Sequence, residues 1–276
     1  MTVECWTHST EGAAITHDVL PPFVRTHTVR AQSSEARGDL AWFRTGAPHE
    51  ELNGVLVTSP DRVDDALATM GDVPALWHSW PGREAFDVEA ALRARGFRFV
   101  EEEPVMSMPI PAGRLSPLPV EFGESRRPLQ PDPQVRIRAV DDEQDLSTWA
   151  RVWTGADPDR RIVEALAAVG LGDGRAVTHL LAEVDGVAVG CAAAVVAGDA
   201  VAVEHIVTAA SHRRQGIGTR LTVAALETGR RLGAATAVLT ASPDGAAIYR
   251  RLGFVERDTV RRFTRDPRAG RRPTRG

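Results

Sequence analysis

The hydrophobic positions of this chain change period along its length, and the changes mark out its elements. In the C-terminal half "VRIRAV", residues 135–140, alternates as a half-buried strand does. "DDEQDLSTWARVW" follows with an acidic start and apolar Leu146, Trp149, Ala150 and Trp153 at helical spacing. Two strand-like runs, "AVTHLLAEV" and "VAVGCAAAVV", are joined by Asp185-Gly186, a strong hairpin signal. Gly198-Asp199 turns the chain into a third run, "AVAVEHIVT". "IGTRLTVAALETGRRLG" reads as an amphipathic helix with Ile217, Leu221, Ala225 and Leu232 on one stripe, ending at Gly233. "AATAVLT" predicts a strand. "SPDGAAIYRRLG" predicts a short helix with Ser242 as N-cap, Pro243 in its first turn and Gly253 just past its end. "FVERDTVRRFTR" closes the half as a strand or hairpin.

The N-terminal half is less regular. "LAWFRTG" and "NGVLVTS" predict strands, with Asn53-Gly54 as a turn. "SPDRVDDALATMG" predicts a helix, "VPALWHSWPG" a strand running into a loop, and "FDVEAALRARGFRFVEEEPVMSMPI" helix, glycine and strand. This last unit echoes the C-terminal half: Asp87, Ala90, Ala91, Leu92, Gly96 and Phe97 have the spacing of Asp244, Ala247, Ile248, Tyr249, Gly253 and Phe254. Between the halves, prolines recur every few residues from Pro109 to Gln134, which disfavours helix and central strand. The expected division is a domain over 1–108, a linker over 109–134, a domain over 135–265 and a polar, basic, disordered tail over 266–276.

Composition narrows the function classes. A formal net charge of -4 gives no global case for nucleic acid or an anionic membrane. No apolar run approaches the ~20 residues of a membrane span. Cys5 and Cys191 lack metal-ligand spacing, so neither a zinc site nor a structural disulfide is expected, and a reduced, cytoplasmic protein is the default. The Trp77–Gly82 run "WHSWPG" could form an aromatic platform, but packing is the favoured reading.

The chemistry concentrates in "HRRQGIGTRL", His212 to Leu221, which lies between a strand and a helix. Glycines at 216 and 218 clear side chains from a helix start, whose first N–H groups have no intrahelical acceptors. Such a terminus takes phosphate or pyrophosphate. Arg213 and Arg214 add charge, and Gln215 and Thr219 add donors. A Walker loop is excluded because "GxxxxGK[ST]" is absent, and the spacing is not that of a dinucleotide fingerprint.

These residues carry a resemblance. "RRQGIGTRL" is similar to the acyl-CoA-binding motif [RQ]-x-x-G-x-[GA] of the GCN5-related N-acetyltransferase (GNAT) family, with Arg213, Gly216 and Gly218 in the motif positions. "SPDGAAIYRRLGF" resembles that family's second segment through Ser242, Tyr249, Gly253 and Phe254. The resemblance covers about residues 135 to 265. The N-terminal half resembles a degenerate copy: nothing there matches the glycine loop, and Leu92 stands at the position of Tyr249. The implied fold is mixed α/β, two GNAT-like domains, each a mostly antiparallel mixed sheet flanked by helices.

The resemblance implies direct transfer of an acetyl group from acetyl-CoA to a small-molecule or peptide amine, with coenzyme A as product. It implies pyrophosphate contacts from the amides of Gln215, Gly216, Ile217, Gly218 and Thr219 with Arg213 and Arg214, and a cofactor-binding role for Ser242. It implies backbone pairing of the pantetheine with Ile206, Val207 and Thr208. Tyr249, the only tyrosine in the chain, is the expected general acid for the leaving thiolate. Glu204 and His205 are both candidates for the general base; strand alternation expects them on opposite faces, so that at most one enters the site. A non-catalytic acyl-CoA-binding or regulatory module is the alternative. A homodimer is left open, and no metal is expected.

Overall fold

The chain is described by a computed structural model over residues 19–82, 84–111, 119–122, 125–128 and 135–265. The first series of elements is α1 (Leu20–Thr28), β1 (Ser33–Arg37), β2 (Leu40–Arg44), β3 (Asn53–Thr58), α2 (Val63–Met70), β4 (Leu76–Ser79), α3 (Ala85–Ala94) and β5 (Arg98–Pro109). A short antiparallel pair, β6 (Pro119–Phe122) and β7 (Ser125–Pro128), follows. The second series is β8 (Val135–Ala139), α4 (Glu143–Thr154), α5 (Arg160–Gly170), β9 (Val177–Val184), β10 (Val187–Ala197), β11 (Ala200–Thr208), α6 (Ile217–Arg231), β12 (Thr236–Thr240), α7 (Pro243–Arg251) and β13 (Val255–Thr264).

One eleven-stranded sheet runs through both series, in the order β1-β2-β3-β4-β13-β5-β12-β11-β10-β9-β8. Its neighbours are antiparallel except at β3–β4 and β11–β12, which are parallel. The last strands cross over. β13 pairs with β4 of the first series, β5 pairs with β12 of the second, and β5 and β13 pair with each other. Mixed α/β architecture with helices on a large mixed sheet agrees with the expected fold class.

Helices cover both faces. On one face α1, α4 and α5 bury Phe23, Leu146, Trp149 and Leu166 against Val105, Leu181, Ala193, Ala202 and Val238. The Trp149 indole settles its buried N–H on Ala192 O at 2.9 Å. On the other face α6 and α7 bury Leu221, Ala225, Leu226 and Leu252 against Met106, Val201 and Leu239. The approach of α6 is close: a Cβ on Gly229 would lie 2.6 Å from Val201 Cγ1. Overpacking there costs about 1–3 kcal/mol.

Several expectations are corrected. Asn53-Gly54 is not a turn but the start of β3. Asn53 is buried there, accepting from the Thr45 and Gly46 amides and donating to Ala47 O, His49 O and Pro74 O. Gly54 is required because a Cβ would sit 2.6 Å from the Phe43 ring. Leu232 lies past the end of α6 and is 55% exposed; Leu226 takes the core position instead. Pro109 does not begin the linker: it ends β5 inside the central sheet, paired with Thr236.

Three elements had no expectation. α1 opens on Leu-Pro-Pro, where a missing N–H is harmless in a first turn. β1 is exposed throughout and carries no alternation signal. α5 is capped by Asp159 Oδ1 on the Arg161 amide. Most of the expected linker, the expected disordered tail and Cys5 lie outside the described residues.

Candidate active site

The site forms where β11 and β12 part. They pair only at Ala200↔Thr236, Val201↔Ala237 and Ala202↔Val238. Beyond these, β11 continues to Thr208 on β10 while β12 continues to Thr240 on β5. The edge of β11 from Val203 to Thr208 that faces β12 therefore has no strand partner, and its peptide groups are open to an extended ligand. Ile206, Val207 and Thr208 lie on this edge, all half-buried.

The chain leaves β11 through a 3-10 turn at Ala210–His212 and enters α6. Gly216 is the N-cap, in the left-handed region at φ 77°, which glycine adopts without penalty. No side chain caps the helix and no acidic residue stands in its first turn. By contrast α4, α5 and α7 are capped by Asp142, Asp159 and Ser242. A Cβ on Gly218 would meet only Ile206 and Thr208 side chains, each at 3.8 Å, so the helix start is approachable. Arg213, Arg214 and Gln215 are exposed around it, and Arg213 Nε donates to Thr208 O at 3.3 Å. Ile217 and Thr219 are buried, so at these positions the backbone is what a ligand meets. This terminus is an anion cradle by geometry and by dipole. Ser242 Oγ accepts from the Gly245 amide at 3.3 Å.

Tyr249 comes from α7, on the opposite face from α1 and α4. Its ring packs over Gly245, where a Cβ would lie 3.0 Å from the ring, and edge-on to Phe254 at 5.9 Å. Burial, reinforced by the charges of Glu103 and Glu204, pushes its phenol up to about 12. It is therefore held as a proton donor at neutral pH.

Glu204 and His205 do not obey strand alternation. Between the pairs Cys191↔Val207 and Ala193↔Glu204, Ala192 alone opposes two residues of β11. His205 sits in this bulge at φ 53°, a conformation rare for a non-glycine residue, which re-aims its side chain. Both side chains consequently meet Arg30, which follows α1. Arg30 Nη1 donates to Glu204 Oε2 at 3.1 Å, and Arg30 Nη2 donates to His205 Nε2 at 2.7 Å and to Glu51 O at 3.1 Å.

Since a guanidinium only donates, His205 Nε2 must accept, and His205 Nδ1–H faces Glu51 Oε2 at 3.2 Å. Trp149 and Trp153 enclose the imidazole at 5.8 and 4.6 Å. His205 thus has both nitrogens engaged. The nearby charges of His27 and Arg30 outweigh burial and hold Glu204 at about 2. Burial holds His27, 3.5 Å from Glu204, at about 4. Neither sequence candidate is a free base.

The cluster extends to residues that no motif signalled. Arg262 of β13 lies 3.5 Å from Glu51, 3.2 Å from Glu101 and 2.6 Å from Glu103. Arg30, His27, Glu51, Glu103 and Arg262 come from α1 and the turn after it, a 3-10 helix at Glu50–Leu52 and the two crossing strands. Their sequence separations from Glu204 leave nothing for spacing to reveal.

The first series has its own parting of strands. β3 and β4 pair at Gly54↔Leu76 and Val55↔Trp77. There the edge carbonyls are taken: His78 Nδ1 lies 2.9 Å from Val55 O, and Trp80 Nε1 donates to Leu56 O at 2.7 Å. Phe23 of α1 packs on both rings, at 5.7 and 5.2 Å. The "WHSWPG" tryptophans are therefore packing residues, and Leu92 is fully buried at the position that α7 gives to Tyr249.

Residues 175–256, from β9 through α7, match the family model described as acetyltransferase (GNAT) domain. Solved structures share the GNAT fold over nearly the whole chain. A GCN5-related N-acetyltransferase from Kribbella flavida aligns with TM-score 0.59 and 21% identity, covering 90% of this chain and 95% of its own. A GCN5-related N-acetyltransferase-like protein from Streptococcus suis gives 0.53 and 15%, covering 81% and 82%. A GNAT-family protein from Novosphingobium aromaticivorans gives 0.52 and 16%, covering 88% and 97%. No curated protein matches the chain. Among the described residues no helix is long and apolar enough to cross a membrane.

Proposed function

We propose that this protein is an N-acetyltransferase that moves the acetyl group of acetyl-CoA to a primary amine of a small molecule or peptide. The observation that carries this reading is the open edge of β11 leading directly into the uncapped, glycine-started α6. An extended thioester arm on that edge and a pyrophosphate on that helix would use the groups the fold leaves unpaired. Bound acetyl-CoA supplies an acyl carbon activated as a thioester. The residues do the rest by position. Backbone groups of Ile206, Val207 and Thr208 orient the arm. Amides of Gln215 to Thr219, with Arg213 and Arg214, hold the diphosphate. Tyr249 gives a proton to the departing thiolate.

The first series acts as a degenerate second copy in this reading. Its helices and parallel strand pair follow the order of the second series, and its cleft is filled by His78 and Trp80. The division near residues 109–134 then separates two related domains that exchange their last strands. The test is release of free thiol from acetyl-CoA over a broad amine panel. Turnover on at least one amine is expected. Tight acetyl-CoA binding with no acetyl transfer would instead favour a non-catalytic acyl-CoA-binding or regulatory module, and absence of binding would remove both readings.

A further inference from the structure

Three carboxylates converge on one guanidinium, and the charge of one of them, Glu103, reaches Tyr249. Arg262 serves Glu51, Glu101 and Glu103, while the next arginine, Arg30, is already committed to Glu204 and His205. Four carboxylates therefore face two arginines, and burial keeps His27 and His78 neutral at pH 7. The cluster is short of positive charge, which suits an incoming ammonium.

Of these four acids, Glu103 is placed differently. It lies on β5, the strand that the first series sends across the sheet, opposite Val260 of β13. β12 ends at Thr240, paired with Val105, and Ala241 N donates to Pro104 O. Glu103 thus stands just past the end of β12, at the mouth of the gap between β11 and β12. It is 5% exposed, hydrogen-bonded to Thr240 and close enough to Tyr249 for its charge to act on the phenol.

We infer that Glu103 is the proton acceptor of the acetyl transfer, so that the first half of the chain contributes a catalytic group to the active site of the second. This rests on the acetyltransferase reading above. Glu103 takes one proton from the ammonium and later returns it to water. The freed amine forms its bond to the acetyl carbon as the carbon–sulfur bond breaks. The thiolate takes the Tyr249 proton, and the phenolate regains one from the acylated nitrogen. Burial and the neighbouring Glu101 raise the Glu103 carboxyl above the usual range in spite of Arg262, whereas Glu204 and Glu51 are held below it. A base must be ionised yet retain affinity for a proton, and among these groups Glu103 meets that condition. The groups facing it are Arg262 from β13, Glu101 from its own strand, Thr240 from β12 and Tyr249 from α7.

The experiment compares Glu103→Gln, Glu103→Asp and Arg262→Gln with the wild type on any accepted amine. Glu103→Gln is expected to lower kcat by roughly 10²-fold or more, leave the KM for acetyl-CoA within two-fold, and abolish the acidic limb of the pH–rate profile. Glu103→Asp should restore part of the rate together with that limb. Because Tyr249 is the only tyrosine, its ionisation can be followed by tyrosinate absorbance, and Glu103→Gln should bring it to lower pH. A wild type that turns over amines, with Glu103→Gln within three-fold of it, overturns the role of Glu103 alone. Equal rate losses in Glu103→Gln and Arg262→Gln, with an unmoved pH profile, also overturn it in favour of a structural ion pair. Failure of the wild type to bind acetyl-CoA or acetylate any amine overturns the parent reading and this role with it.

Discussion

Arg30 Nη2 lies 2.7 Å from His205 Nε2, although 175 residues separate them in sequence. The contact ties α1 to the bulge of β11 and fixes the imidazole with its proton on Nδ1. The same arginine holds Glu204. Its side chain is 7% exposed, so its removal would leave a buried carboxylate unpaired. Arg30→Met is expected to cost about 3–5 kcal/mol of stability, the range for breaking a buried pair. Denaturant midpoints measure this. Combining it with Glu204→Gln should recover part of the loss; additive costs would show that the two groups are not coupled.

Tyr249→Phe tests the proton donor. The ring packs against Gly245 and Phe254, and phenylalanine keeps that packing. Turnover should fall by about 10²-fold, within the range for general acid catalysis, while the Kd for acetyl-CoA stays within two-fold. Steady-state kinetics and calorimetry read the two quantities separately. An unchanged kcat would mean that the thiolate leaves without help from this phenol.

The anion cradle depends on backbone conformation at Gly216. An alanine there must hold φ near 77°, at a cost of roughly 1 kcal/mol or more. Gly216→Ala should therefore weaken acetyl-CoA binding more than it changes kcat. Arg213→Ala and Arg214→Ala should weaken binding and flatten its dependence on ionic strength. Titrations at two salt concentrations separate the two effects.

One acetyl-CoA per chain is expected. The parting of β3 and β4 is closed by His78 and Trp80, whose ring N–H groups take the carbonyls of Val55 and Leu56. Isothermal titration should give a stoichiometry near one. A value near two would show that this filled cleft opens.

Acid should destabilise the fold in a defined order. Burial holds the His78 and His179 imidazoles at about 3, against 6.5 when exposed. Below pH 6.5 the unfolded chain binds protons at these sites and the folded chain does not. Their contribution to stability is whole above pH 6.5 and is lost as pH falls toward 3. Glu204, held at about 2 against 4.5, adds a further loss below pH 4.5. Urea midpoints measured between pH 7 and pH 4 should decline steadily, and His78→Gln should show a shallower decline. A flat response in the wild type would contradict these burial effects.

The C-terminal half was legible because its signals are local. Asp185-Gly186 makes the expected hairpin, Ser242 caps α7, and the stripe of Ile217, Leu221 and Ala225 finds the core. Gly216 and Gly218 marked the helix start because a helix terminus and its glycines are neighbours in sequence. The first half was legible only in part. β1 has no apolar alternation, and Asn53-Gly54 carries turn chemistry but is used as a buried polar anchor and a close approach to Phe43.

The sequence by itself therefore determined the elements of the second half apart from α5, and the glycine start of α6, all consequences of interactions within a few residues. Tertiary structure decided what surrounds them. A single extra residue in β11 turned His205 onto the same arginine as Glu204, against alternation. Crossing of β5 and β13 brought Glu103 of one onto Arg262 of the other, from strands whose own sequences say only that they are extended. Charge pairing, burial and the resulting proton affinities depend on distances between segments remote in sequence, and only the packed sheet sets those distances.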